Sequence, residues 1–317
     1  MANLELNRYQ KTALATVAAT LFLIFVGGLV RATGAGLGCP DWPKCFGLWI
    51  PPMDVSQLPA GFDESQFNVV KTWTEYINRL IGILVGFLIT LTAIFSWKYR
   101  KSKPSITISS IAAFILVLFQ GWLGGMVVRS ALAGWLITLH LITAVIIVLL
   151  LFYATFKATH QLVPVTINST QKTRILATLA VLLVILIIQT GMGTQVREMI
   201  DHVRGTYPDL ARGNWLEETG VIYKIHRSFS WMVAIIGAIP IVLRKRWFPT
   251  PLMDKMVQAL AALILVQIGL GVGMQFLNIP PTFQLLHLTF SVFMICLNYV
   301  MILFVQHAQP AAEGSNG

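Results

Sequence analysis

Three of the six histidines in this 317-residue chain, His140, His226 and His287, lie inside apolar runs long enough to cross a membrane. Their spacing repeats. Asn78-Arg79 precedes His140 by 62 residues, and His226-Arg227 precedes His287 by 61. Gln120 lies 20 residues before His140, and Gln267 lies 20 before His287. Such matching over half a chain indicates two copies of one membrane unit, each offering side chains from two helices. Paired neutral imidazoles on facing helices are a means of holding an intramembrane haem iron. A lone histidine in such a run more often hydrogen-bonds a neighbouring helix; the repeated placement at equal depth favours ligation. His160, His202 and His307 fall in loops or at a helix end and read as solvated surface.

Other residues near these positions can do chemistry. Glu75 and Asn78 are three apart, which places them on one helical face. An ionisable group at the edge of an apolar span is a functional candidate, and a carboxyl there can move a proton. The matching position of the second copy is Tyr223, so the two sites are not expected to do the same work. Arg79 and Arg227 each follow a paired position directly. Either they meet haem propionates with a bidentate fork, or they reach to the membrane interface. Gln120 and Gln267 read as amides that join helices. Cys39 and Cys45 bracket a short Pro-containing segment and are expected to close a small disulfide ring if that segment faces an oxidising compartment. A structural and a redox role for that ring both stay open. Cys296 is mid-helix and reads as packing.

These residues must be carried by membrane helices. Apolar residues make up 56% of the chain and charged residues 11%, with a mean hydropathy of +0.72. A soluble chain would carry about 25% charged residues. Eight stretches are long enough to span a bilayer, near 12–30, 73–96, 106–128, 134–156, 174–195, 221–243, 255–276 and 283–306. With the N-terminus in the cytoplasm, the inner segments hold thirteen cations against three acids, and the outer ones balance. The net charge of +10 then lies wholly inside, as the positive-inside rule requires. Cations spread over four loops argue against a nucleic-acid surface. The first run is too long for a cleaved signal peptide and reads as a retained helix. The fold expected is therefore all-α, eight transmembrane helices arranged as two parallel-repeat four-helix bundles. The halves are 1–160 and 161–317, joined on the cytoplasmic side around 163–168. The tail from Gln309 to Gly317 reads as disordered.

The chain resembles the haem A synthases, which convert a methyl group of haem O to the formyl group of haem A. The likeness rests on Gly34-Ala35-Gly36-Leu37-Gly38-Cys39-Pro40-Asp41-Trp42-Pro43-Lys44-Cys45 and on Glu75 through Asn78-Arg79. It continues in Gly124-Gly125 through Arg129 to His140, Gln189-Thr190-Gly191 through Val196-Arg197-Glu198, His226-Arg227 and His287. It runs from the first helix to the last. The resemblance implies a b-type haem cofactor held by His226 and His287, with Arg227 beside it. It implies a substrate site for haem O in the N-terminal half, with Glu75 catalytic, His140 an iron ligand, Asn78 and Arg79 nearby, and Cys39 and Cys45 the family's loop pair. It also implies a haem O-producing farnesyltransferase as supplier and a separate electron donor. The cation placement puts both termini in the cytoplasm and the histidines near the outer face, and the lack of an Arg-rich, Ser-rich transit segment before the first helix makes a bacterial plasma membrane the expected location. One position departs from the family pattern: Glu-x-x-His-Arg is usual on the second helix, and here the fourth residue is Asn78. Two other functions fit some of these features. A b-type electron-transfer cytochrome would want four matched histidines. A haem-binding assembly factor without turnover would tolerate Asn78.

Overall fold

The computed structural model describes residues 6–162, 165–167, 171–248 and 250–310. Among these, eight helices are long and apolar enough to cross a membrane. They are α1 (Arg8–Ala32), α2 (Val69–Ser96), α3 (Pro104–Arg129), α4 (Gly134–Thr159), α5 (Lys172–Thr206), α6 (Val221–Val242), α7 (Pro251–Phe276) and α8 (Pro281–His307). The chain divides into two compact units, Met1–Thr155 and Phe156–Gly317.

Helix starts follow local chemistry. Asn7 caps α1 through a reciprocal box: its side chain accepts the Gln10 N–H, and the Gln10 amide accepts the Asn7 N–H. Asn68 caps α2 by accepting the Lys71 N–H at 3.0 Å. Helices α3, α7 and α8 open on proline, whose missing N–H would be unpaired there anyway.

The N-terminal unit packs as four helices. Val17 of α1, Val85 and Ile89 of α2, Ala113 of α3, and Ile147 and Leu151 of α4 form one buried cluster. Hydroxyls join the helices where lipid offers no competing water: Thr16 bonds Thr92 at 2.8 Å, and Tyr9 bonds Ser110 at 3.0 Å. In the C-terminal unit the Asn298 amide of α8 donates to the Leu179 carbonyl of α5 at 2.8 Å. Outward faces are apolar: Ile83, Phe87, Trp231, Val242 and Leu265 are all more than half exposed. A surface of that kind needs lipid around it.

Two hairpins use the same uncommon turn. Between α3 and α4, Ala131 and Leu132 both have positive φ, and the Leu132 N–H bonds the Val127 carbonyl at 2.9 Å. Between α7 and α8, Asn278 and Ile279 have positive φ, and the Ile279 N–H bonds the Met274 carbonyl at 3.0 Å. These turns fix how the second helix of each hairpin returns beside the first, and so where His140 and His287 sit.

Two features differ from the sequence-based expectation. Helix α5 runs on to Thr206, about three turns past the span placed at 174–195. That extension is amphipathic: Val196 and Ile200 pack on Leu216 and Ile279, while Arg197 pairs with Asp201 at 3.1 Å. The membrane-length criterion sees only its apolar part. The second concerns the tail. Gln309–Pro310 pair in parallel with Thr166–Ile167, and the Gln309 N–H bonds the Val165 carbonyl at 3.0 Å. A short backbone pairing of this kind leaves no hydrophobic pattern to read. Residues 311–317, and Val163, Pro164 and Asn168 of the linker, lie outside the described residues.

Candidate functional site

In the N-terminal unit the site begins with the loop after α1. Cys39 and Cys45 are joined by a disulfide and are both buried. Phe46 beside them packs edge-on to Phe62 and Phe67, with ring centroids 5.4 and 5.6 Å away. Asp41 closes the ring from within, accepting the Phe46 N–H at 2.6 Å and the Gly47 N–H at 2.9 Å.

This ring is docked on α2 by its backbone. Thr72 donates to the Gly38 carbonyl at 2.8 Å, and the Cys39 N–H donates to Glu75 Oε2 at 2.9 Å. Gly38 is required here, because a Cβ would lie 2.3 Å from the Lys71 carbonyl oxygen. Arg79, one turn after Glu75, binds the same ring. Its Nη1 donates to the Asp41 and Lys44 carbonyls, both at 2.8 Å, and its Nη2 donates to the Cys39 carbonyl at 3.1 Å and to Glu75 at 2.5 Å. The guanidinium that sequence offered as a propionate fork or an interfacial anchor is thus engaged with loop carbonyls through both terminal nitrogens. Glu75 is 4% exposed, so it is not a solvated interfacial carboxylate. The Arg79 guanidinium meets its Oε1 and the Cys39 N–H its Oε2.

The loop also reaches α3. The Trp42 indole lies against Gly125, where a Cβ would come within 2.8 Å of the ring. The neighbouring Gly124 faces the His140 ring of α4, its Cβ position 3.4 Å from Cε1. One continuous set of contacts therefore runs from Glu75 through the disulfide ring and Trp42 to the α3 face that meets His140. Asn78 is half-buried and its Oδ1 is buried without a hydrogen-bond partner.

The C-terminal unit brings His226 of α6 and His287 of α8 together, with ring centroids 6.4 Å apart. Two imidazoles on opposite sides of one iron would have centroids roughly 6.3 Å apart, given metal–nitrogen bonds of about 2 Å. The centroid spacing is therefore the one a bis-imidazole centre needs. Gly193 faces the His226 ring and Gly271 the His287 ring, at Cβ distances of 3.3 and 3.6 Å from Cε1. His140, His226 and His287 all lie in the second turn of their helices. In each, Nδ1 is buried without a partner. Arg227 is exposed. Tyr223, at the place matching Glu75, donates to Gln275 at 3.2 Å. Among the described residues, no three His, Cys, Asp or Glu side chains converge as a bare metal ion would require. A haem iron takes only one or two ligands from protein.

The model of the COX15-CtaA family, described as cytochrome oxidase assembly protein, matches residues 10–298. The chain belongs to this family. Heme A synthase of Bartonella tribocorum is 25% identical, with 87% of this chain and 86% of that protein aligned. Heme A synthase of Shewanella oneidensis is 25% identical over 84% of this chain and 87% of its own length. Heme A synthase of Alkalihalophilus pseudofirmus is 36% identical, over 38% of this chain and 36% of its own. As a family member with eight apolar helices, the chain is a multi-pass membrane protein.

Sequence reasoning singled out His140, His226, His287, Glu75 and the cysteine pair. It missed the small residues that make room for the rings: Gly124, Gly193 and Gly271. It missed Trp42 as the bridge to α3 and Gly38 as the docking point on α2. Gly124 and Gly271 each lie four residues after a matched glutamine, Gln120 or Gln267. That shared spacing was the available signal.

Proposed function

We propose that this chain is a haem A synthase, an oxidoreductase that converts the methyl group of haem O to a formyl group in two successive oxidations. The observation that carries the reading is the asymmetry of its two histidine sites. One has two imidazoles at single-iron spacing. The other has one histidine, His140, together with a buried carboxylate, Glu75. The matched turns, histidines and glutamines of the hairpins α3–α4 and α7–α8 support a parallel repeat in which the first copy, residues 1–160, handles substrate. The second copy, residues 161–317, then holds a cofactor.

In this reading His226 and His287 would hold haem b, which when bound would pass electrons between the substrate site and a separate redox partner. Exposed Arg227, next to His226 in the chain, would take a propionate. His140 binds the iron of haem O and so fixes which ring edge faces Glu75. The first oxidation would add the oxygen of one water with loss of two electrons and two protons, making a hydroxymethyl group; the second would do the same to make a geminal diol, which loses water to give the aldehyde, the electrons leaving to a separate redox partner. Glu75, positioned by Arg79 and the Cys39 N–H, accepts a proton released at the reacting methyl. Arg79 acts here as the clamp that keeps Glu75 and the disulfide ring in register, and its fork is not free for a propionate. Haem O is a lipid-soluble molecule, and the apolar outer faces of the helices suit entry from the bilayer. The charge asymmetry supports both termini being cytoplasmic and both haem sites lying towards the outer face of what we take to be a bacterial plasma membrane. The haem O-producing farnesyltransferase would be the upstream partner. Expressed in a host that makes haem O and has no haem A synthase of its own, the protein should cause haem A to accumulate. Unconverted haem O in the presence of folded protein would contradict the proposal.

Asn78 gives a second expected result. With no imidazole there, the N-terminal haem should be high-spin or water-ligated, with the unpartnered Asn78 Oδ1 available to accept from the iron's water. Asn78→His should convert that haem towards low-spin, as read by electron paramagnetic resonance of haem-loaded protein. A wild-type N-terminal haem that is already bis-histidine would overturn this assignment.

A further inference from the structure

The three intramembrane histidines share a partner. Gln120 Nε2 donates to the His140 carbonyl at 2.9 Å, Gln189 Nε2 to the His226 carbonyl at 3.0 Å, and Gln267 Nε2 to the His287 carbonyl at 2.8 Å. Each glutamine comes from the helix that faces the histidine: α3, α5 and α7. Each also leaves its Oε1 buried without a partner, and each histidine leaves its Nδ1 buried without a partner. An unmet buried acceptor and an unmet buried ring nitrogen, held to the same residue three times over, are costly in lipid unless something pairs them. Iron on Nε2 would place the ring proton on Nδ1 and turn that nitrogen into a donor. The sequence adds a correlation. Gln189 lies eight residues before Arg197. The residue eight before Arg31 is Leu23, in the half whose α2 carries Asn78 in place of a histidine. Where the imidazole is missing, the amide is missing as well.

We propose that Gln120, Gln189 and Gln267 are positioning residues for axial histidines. The Nε2 end of each holds the histidine's backbone and with it the direction of the ring, so the amide sets ring orientation and, through it, ligand basicity. This rests on the haem reading given above. Asn298 supplies a control, because its buried amide also donates to a backbone carbonyl of a facing helix and leaves Oδ1 unpartnered, but it serves no histidine. It lies 11 residues along α8 from His287, roughly 16 Å away.

The test compares Gln267→Met, Gln189→Met and Asn298→Leu in purified, haem-loaded protein, with His287→Ala alongside. Redox titration and haem loss to apomyoglobin are the readouts. Losing the backbone hold lets the ring turn away from whatever accepts its Nδ1–H and lowers imidazole basicity, so both glutamine variants should shift the midpoint potential of the C-terminal haem upwards. They should also weaken haem retention about 10–100-fold while the haem stays six-coordinate. Asn298→Leu should lower thermal stability and leave the potential and retention at wild-type values. Glutamine variants that behave like Asn298→Leu would overturn the positioning role and reduce these residues to helix joints. A His287→Ala protein that keeps its low-spin haem would instead overturn the haem reading itself, and the two failures are told apart by which variant fails.

Discussion

His226→Ala and His287→Ala should each abolish the low-spin haem of the C-terminal unit, while His140→Ala leaves it intact. The two imidazoles stand at a spacing suited to one iron, each backed by a glycine that admits the ring and a glutamine that holds its backbone. Alanine at either position removes one of the two proposed axial ligands and leaves the other in place. The expected loss is complete for the six-coordinate species, measured by reduced-minus-oxidised spectra against a haemochrome assay. His140 belongs to the other unit, so its removal should spare that signal. Normal low-spin content in both C-terminal variants would defeat the ligand assignment.

Glu75→Gln should lower haem A formation by about 10²–10⁴, the usual worth of one positioned proton-transfer group. Glutamine matches the size of the carboxylate and can still accept the Cys39 N–H. It removes the negative charge that faces Arg79 and the capacity to take a proton. The disulfide ring should stay docked, because Arg79 also holds the carbonyls of Cys39, Asp41 and Lys44, and Thr72 holds Gly38. The C-terminal haem should be unchanged, so turnover can be expressed per haem b. A Glu75→Gln protein making haem A at the wild-type rate would remove Glu75 from the mechanism.

Much of this architecture was legible in the residues because membranes impose few solutions. Span length, cation placement and the Gln-to-His interval of 20 each follow from lipid thickness and helical geometry, and all eight spans were found. The end of α5 was not, because its last three turns are amphipathic and pack on Leu216 and Ile279 outside the apolar window. At the site, the histidines and Glu75 stood out as polar atoms in apolar runs. Arg79 was visible too, but its partners are backbone carbonyls 35 to 40 residues earlier. A carbonyl carries no residue-type signal, so nothing in the sequence distinguishes a loop clamp from a propionate fork. The same limit hid the glutamine-to-histidine bonds, whose acceptors are also carbonyls, although the spacing that produces them was plain.

The two-site synthase is tested most directly by extracting the haems from purified protein and identifying each by mass. Haem B together with haem O or its oxidised products, haem A among them, is the result expected of one cofactor site and one substrate site. Haem B alone, filling both units, would mark an electron-transfer cytochrome and contradict the account.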